Sequence, residues 1–258
     1  MNGLGLRIAL GATVGLILGF LILPIFAVVP AAFNHQSFIR LPPTLWSLRW
    51  VDRFLADPQW FAALADSIRI GFFATLLSVV IGTAAALGLD RLTGRLRAFV
   101  MGLFVAPLIV PVVVLAVALY AVFRPFGLIG TTLGLVLAHA VVALPFVVIN
   151  VGVSLKALDP RLTLAAEGLG ASPWRRFRTI TLPLILPGVA SGAAFAFITS
   201  FDEVVLSVFL AGPQVKTLPV RMWEVIRLEY TPIVAVAATA MILMALALGL
   251  LARMAERR

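Results

Sequence analysis

Residues 8–33 form one apolar run that contains no Asp, Glu, Lys or Arg. Such a run exceeds the roughly 20 residues that a helix needs to cross a hydrocarbon core. Five further stretches are long and mostly apolar, residues 67–89, 99–123, 131–153, 184–210 and 231–252, with Arg69 in the first and Asp202 and Glu203 in the fourth. Lipid offers no partner to a free backbone amide or carbonyl, so each is expected to be a helix. The chain therefore reads as an all-α, polytopic membrane protein: one transmembrane domain over residues 1–258 with about six spans. At 62% hydrophobic and 12% charged, it carries more apolar surface than a soluble domain of this length can hide. The first run is too long for a cleaved signal, and no small-x-small site follows it.

The loops orient the spans. Arg7, Arg91, Arg95, Arg97, Lys156, Arg161, Arg175, Arg176, Arg178, Arg253, Arg257 and Arg258 fall on one side of a six-span map, twelve of the twenty basic residues. Short basic loops stay in the cytoplasm, which places both termini inside. The net charge of +9 is thus assigned to arginine-rich inner loops and not to nucleic acid. Residues 34–60 are expected outside, with Trp46, Trp50 and Trp60 at the bilayer interface. Pro107 and Pro111 interrupt the third span. They kink either a helix that lines a pathway or one that merely packs.

Residues 154–183 form the longest polar inner segment. Asp159-Pro160 is an N-cap followed by proline at the first helical position, and Ser172-Pro173 repeats the signal. Two short helices are expected, the first ending at Gly168 or Gly170 with Leu162, Ala165, Ala166 and Leu169 on one apolar face. The second should run through Trp174 and Arg178, with Pro183 opening the next span.

This stretch resembles the "EAA" loop of bacterial ABC importer permeases. Ala165, Ala166, Gly170, Ile180, Leu182 and Pro183 match that pattern, whereas Leu164 stands where the family has Glu. Glu167 lies one turn further on and is a candidate substitute. The resemblance implies the type I importer permease fold in the bacterial inner membrane. It also implies a coupling role for Ala165, Ala166, Glu167, Gly170, Ser172, Pro173 and Arg175, on which a separate ATPase would push. The implied partners are two ATPase copies, a second permease subunit of a different chain, an external solute-binding protein and membrane lipid. ATP and Mg would sit on the ATPase, and no cofactor on this chain.

Ser200-Phe201-Asp202-Glu203 places two adjacent carboxylates inside the expected fifth span. Such groups are costly in lipid unless paired or facing water. Successive helical residues point about 100° apart, so one is expected to face a pathway and the other a neighbouring helix. Two readings stand: a contact for a cationic amine in transit, or an internal salt bridge that fixes packing. From Gly168 to Met254 the chain is similar to spermidine/putrescine-type permeases, whose Ser-x-Asp-Asp motif maps onto Ser200, Asp202 and Glu203. Trp50 matches a tryptophan of that subgroup's outer loop. Val112 replaces a subgroup Asp, so putrescine-like, amino-acid-like or opine-like solutes fit as well as spermidine.

Other chemistries find no residues. The two lysines, Lys156 and Lys216, do not follow glycine, so no phosphate-binding P-loop exists. Cysteine is absent, and His35 and His139 offer no metal spacing. An intramembrane enzyme would have to draw on Asp202 and Glu203 of the fifth span and His139 of the fourth, without a partner motif. His139 itself reads as a packing residue or a ligand. A passive channel would not need the elbow.

Overall fold

A computed structural model describes residues 3–229 and 231–256. The cytoplasmic end assigned to Arg257 and Arg258 lies outside the described residues. Twelve α-helices and no strand occur among the described residues, which also hold one isolated bridge between Asn34 and Trp46. The helices are α1 (Gly3–Ala32), α2 (Arg49–Ala56), α3 (Pro58–Asp90), α4 (Gly94–Ile109), α5 (Val112–Phe123) and α6 (Thr132–Lys156). They continue with α7 (Pro160–Gly168), α8 (Pro173–Arg176), α9 (Leu182–Phe201), α10 (Val205–Leu210), α11 (Leu218–Leu228) and α12 (Ile233–Glu256). Among the described residues, five helices are long and apolar enough to cross a membrane, or six if the bent pair α4–α5 is one span.

The helices form two compact units. The first contains the chain up to Phe61 with Met222–Leu243. Its α1 exposes apolar side chains from Leu10 to Phe26, as a lipid-facing helix does. The segment after it is a folded knot and not a loose outer loop. The buried Asn34 amide donates to Arg40 O at 2.7 Å, and the buried Trp50 Nε1–H donates to Gln36 O at 3.0 Å. The Phe54 and Trp60 rings meet at 5.6 Å between centroids, tilted by 45°. Of the three tryptophans expected at the bilayer interface, Trp46 is exposed. Trp50 and Trp60 are each 2% exposed, because their rings are the apolar filling that lets so polar a segment fold.

The second unit contains Ala62–Arg221 and the chain from Met244 onward. α6 runs through its centre, buried along most of one face from Gly134 to Leu155. α9 lies against α6 through Gly188 and Gly192. A Cβ on Gly188 would stand 2.1 Å from Ser154 Oγ and 2.8 Å from Asn150 O. One on Gly192 would stand 3.0 Å from Val147 Cα. Small residues spaced by four let two membrane helices meet backbone to backbone, where dispersion contacts replace the hydrophobic effect. α3 joins them through Ser78 Oγ, which donates to Ala140 O at 3.3 Å. Ile185 and Ala196 of α9, with Ala143, Val147, Val151 and Leu155 of α6, form one buried cluster. Leu206 and Leu210 of α10 pack with Ala116 of α5 and Leu135 and Val142 of α6 in another.

Several boundaries differ from the sequence expectation, each for a local reason. The second span begins at Pro58 and not near Ser67, because proline opens a helix readily at its first turn. The third is broken outright: α4 and α5 meet at 104°. Val110 precedes Pro111 and is held extended at ψ 131°, and Pro111 has no N–H to continue the ladder. The fifth span starts at Pro173, since α8 passes through a π turn (Phe177–Thr181) directly into α9, and it stops at Phe201. The polar segment between the expected fifth and sixth spans contains α11.

Candidate coupling elbow and solute pathway

The elbow is built by its caps. Asp159 accepts the Arg161 amide at 2.9 Å and starts α7. Gly170 ends it with φ +75°, a left-handed conformation that a side chain would strain. The Gly170 amide donates to Glu167 O at 2.9 Å and the Ala171 amide to Ala166 O at 3.0 Å. Those two bonds are a Schellman closure, which satisfies carbonyls left over at a helix end. Ser172 then accepts the Arg175 amide at 3.4 Å and opens α8, with Pro173 at its first position. Glu167 and Arg176 form an ion pair across the turn and so brace α7 against α8. Glu167 therefore has a partner inside the elbow.

The outward surface of the elbow is unusual for a segment between spans. Ala166 is buried, but Leu162, Leu164 and Leu169 are 47%, 64% and 89% exposed, and Trp174 is 68% exposed. The apolar face expected from Leu162, Ala165, Ala166 and Leu169 is thus turned outward except at Ala166. Arg175 and Arg178 are also exposed on this segment.

The far end of the same helix holds the acidic pair. Pro173–Phe201 is one 29-residue helical path, about 43 Å long at 1.5 Å per residue. Asp202 is its C-cap and not an interior residue, and the backbone turns through Glu203 and Val204 before α10. Glu203 Oε1 accepts the Leu206 amide at 3.0 Å and so satisfies a free donor at the start of α10. Asp202 is exposed, and its carboxylate has no hydrogen bond or ion pair among the described residues. The α9 carbonyl end carries partial negative charge, and Asp202 adds to it. Glu203 meanwhile offsets the positive start of α10. The break is left net negative, which suits a cation.

Ser200 does not share that surface. It is 3% exposed, and its hydroxyl lies 2.8 Å from His139 Nδ1. His139 Nε2 lies 2.9 Å from Ser207 Oγ. His139, fully buried, thereby ties α6 to α9 and α10, and both ring nitrogens are used. This fits its packing reading. Trp50 is likewise buried, with the Arg49 and Arg53 guanidinium groups 5.2 and 5.4 Å from its ring centroid. Of the four residues expected on a pathway, Asp202 alone presents a free polar group at the surface. Serines spaced by seven, Ser200 and Ser207, were the sequence signal for the His139 tie, hidden by the break between them.

Comparison with known proteins places this geometry. The spermidine/putrescine transport system permease protein PotC of Haemophilus influenzae is 34% identical over 239 residues, 93% of each chain. The putrescine transport system permease protein PotI of Escherichia coli is 32% identical over 237 residues, 87% of this chain and 83% of its own. Among solved structures, a bacterial ABC transporter involved in the import of the acidic polysaccharide alginate shares the fold. Its TM-score is 0.76 at 16% identity, covering 98% of this chain and 95% of that one. The model of binding-protein-dependent transport system inner membrane components matches residues 78–258. An elbow braced between two caps, a helix running from it to a broken acidic end and a family match over most of the chain lead to one assignment: the protein belongs to the inner-membrane components of binding-protein-dependent transport systems.

Proposed function

We propose that the chain is the permease subunit of an ATP-driven importer for polyamines or a related small cationic amine. The observation that carries the solute class is Asp202, an exposed carboxylate at the negative end of a broken span, with its neighbour Glu203 already spent on α10. The names of the PotC and PotI relatives support the same class. Val112, at the start of α5, adds no second carboxylate. Its neutrality favours a short diamine over a longer polycation. It also keeps a second reading in view, a singly charged amino-acid-like or opine-like solute.

The division of labour follows from what the chain lacks. With no P-loop, it draws force from ATPase subunits that bind ATP and Mg. One of two ATPase copies engages the elbow through Leu162, Leu169 and Trp174 around Ala165, Ala166, Glu167, Gly170, Ser172, Pro173 and Arg175. A second, different permease chain completes the passage, and an external binding protein delivers the solute. Both termini and the elbow face the cytoplasm. ATPase closure favours one arrangement of the elbow over the other, and that difference in binding is what shifts the spans between outward and inward openings.

Reconstitution with the partner permease, ATPase and binding protein in proteoliposomes tests the reading. ATP-dependent uptake of labelled putrescine or spermidine is the expected result. Uptake of a neutral or anionic solute with none of either amine would overturn it.

A further inference from the structure

A cavity of about 240 Å³ lies within the second unit, where the end of α3, the start of α4 and the end of α6 converge. Its charged rim is Asp90, Arg97 and Lys156. Each helix then becomes apolar going inward. α3 continues from Asp90 to Ala86, α4 from Arg97 to Met101, and α6 from Lys156 through Gly152 to Ile149. One helical turn rises about 5.4 Å, so the walls change from charged to apolar within one to two turns. This is the polarity order of an amphiphile standing upright in a leaflet.

The charges at the rim are unspent. Neither the Arg97 guanidinium nor the Lys156 ammonium makes a side-chain hydrogen bond or ion pair among the described residues. Arg97 is half-buried, so leaving it without an anion is costly. Two cations and one carboxylate leave a net charge of +1, the complement of one phosphodiester.

We propose that this cavity is a phospholipid site. The lipid phosphodiester sits between Arg97 and Lys156, and the upper part of an acyl chain lies along Met101, Gly152 and Ile149. Asp90 faces the headgroup's outer end, where it suits the ammonium of an ethanolamine lipid. The bound lipid fills the seam between α3, α4 and α6 beside the turn joining α3 to α4. The proposal rests on the permease reading in placing the site at the inner leaflet and in taking the assembled transporter as the sample. Lipid retention is scored without transport, so failure of one is distinct from failure of the other.

The test is native mass spectrometry of the assembled transporter released from nanodiscs of phosphatidylethanolamine and phosphatidylglycerol. The wild-type complex retains phospholipid. Arg97→Gln combined with Lys156→Gln lowers the retained fraction about tenfold. Arg95→Gln, in the same basic turn but outside the cavity, leaves it unchanged, and Arg97→Lys with Lys156→Arg restores it. The charge-preserving pair separates loss of the site from misfolding. Equal retention in wild type and in the double glutamine variant would overturn the proposal. So would a retained mass that inorganic phosphate displaces without any lipid being detected.

Discussion

Glu203 and Asp202 are neighbours in sequence with opposite fates in the structure. The Glu203 carboxylate is bonded to the Leu206 amide at 3.0 Å, and the Asp202 carboxylate ends α9 in the open. A helix cannot continue cheaply through two adjacent acids in an apolar span, and here it does not. The break separates a structural carboxylate from an available one.

Asp202→Asn is therefore expected to lower uptake of a diamine about tenfold or more, as loss of a charge-assisted contact of about 2 kcal/mol does. Complex assembly, judged by copurification, should not change. Glu203→Ala should behave differently, with a loss of about 1 kcal/mol in thermal stability from the missing cap. If Asp202→Asn transports normally, the carboxylate has no part in the pathway.

Gly170→Val forces a β-branched side chain into φ +75°, at about 1–2 kcal/mol of strain. No neighbouring atom lies within 4 Å of the site a Cβ would take, so the cost is conformational and not steric. The variant should reach the membrane yet hydrolyse ATP without matching uptake. Parallel assays of hydrolysis and uptake in proteoliposomes decide it, and a normal ratio would argue against the lever.

Leu169 is 89% exposed, so the fold does not depend on it, whereas Trp174, 68% exposed, still meets the Phe177 ring at 5.5 Å between centroids. Leu169→Asp should leave thermal unfolding unchanged and weaken ATPase association about tenfold, as removal of a central apolar anchor does. Surface-based titration of the ATPase onto immobilised permease measures it. Unchanged affinity would move the docking surface elsewhere.

His139→Ala removes two buried hydrogen bonds, to Ser200 and Ser207, and leaves a cavity between α6, α9 and α10. A loss of about 3 kcal/mol is expected. Thermal unfolding in detergent should show it, and Ser200→Ala should show a smaller part of it. A stable His139→Ala protein that fails only in solute binding would return His139 to the pathway.

The parts that were legible in the sequence are those governed by local chemistry. Asp159-Pro160, Gly170 and Ser172-Pro173 specify the elbow because caps act within four residues. The spans were legible because lipid demands long apolar helices. The burial of Trp50 and Trp60 was not legible, because interfacial preference is an average, while these rings fill a local knot whose partners, such as Gln36, carry no pattern. Ser200 was assigned to the pathway by its place in a motif. Only the path of the chain through α6 shows that its hydroxyl faces His139.

The π turn at Phe177–Thr181 has a geometric consequence for everything after it. Each residue of an α-helix advances the side-chain direction by about 100°, and a wider turn accommodates one residue more than the α pitch allows. The azimuth of α9, and with it the compass bearing of Asp202, is set by a slipped thread at the root of the helix. Removing a single residue from 177–181 would let the thread tighten with the heading of Asp202 nearly kept, whereas the same removal within α9 would swing it about a quarter of a circle.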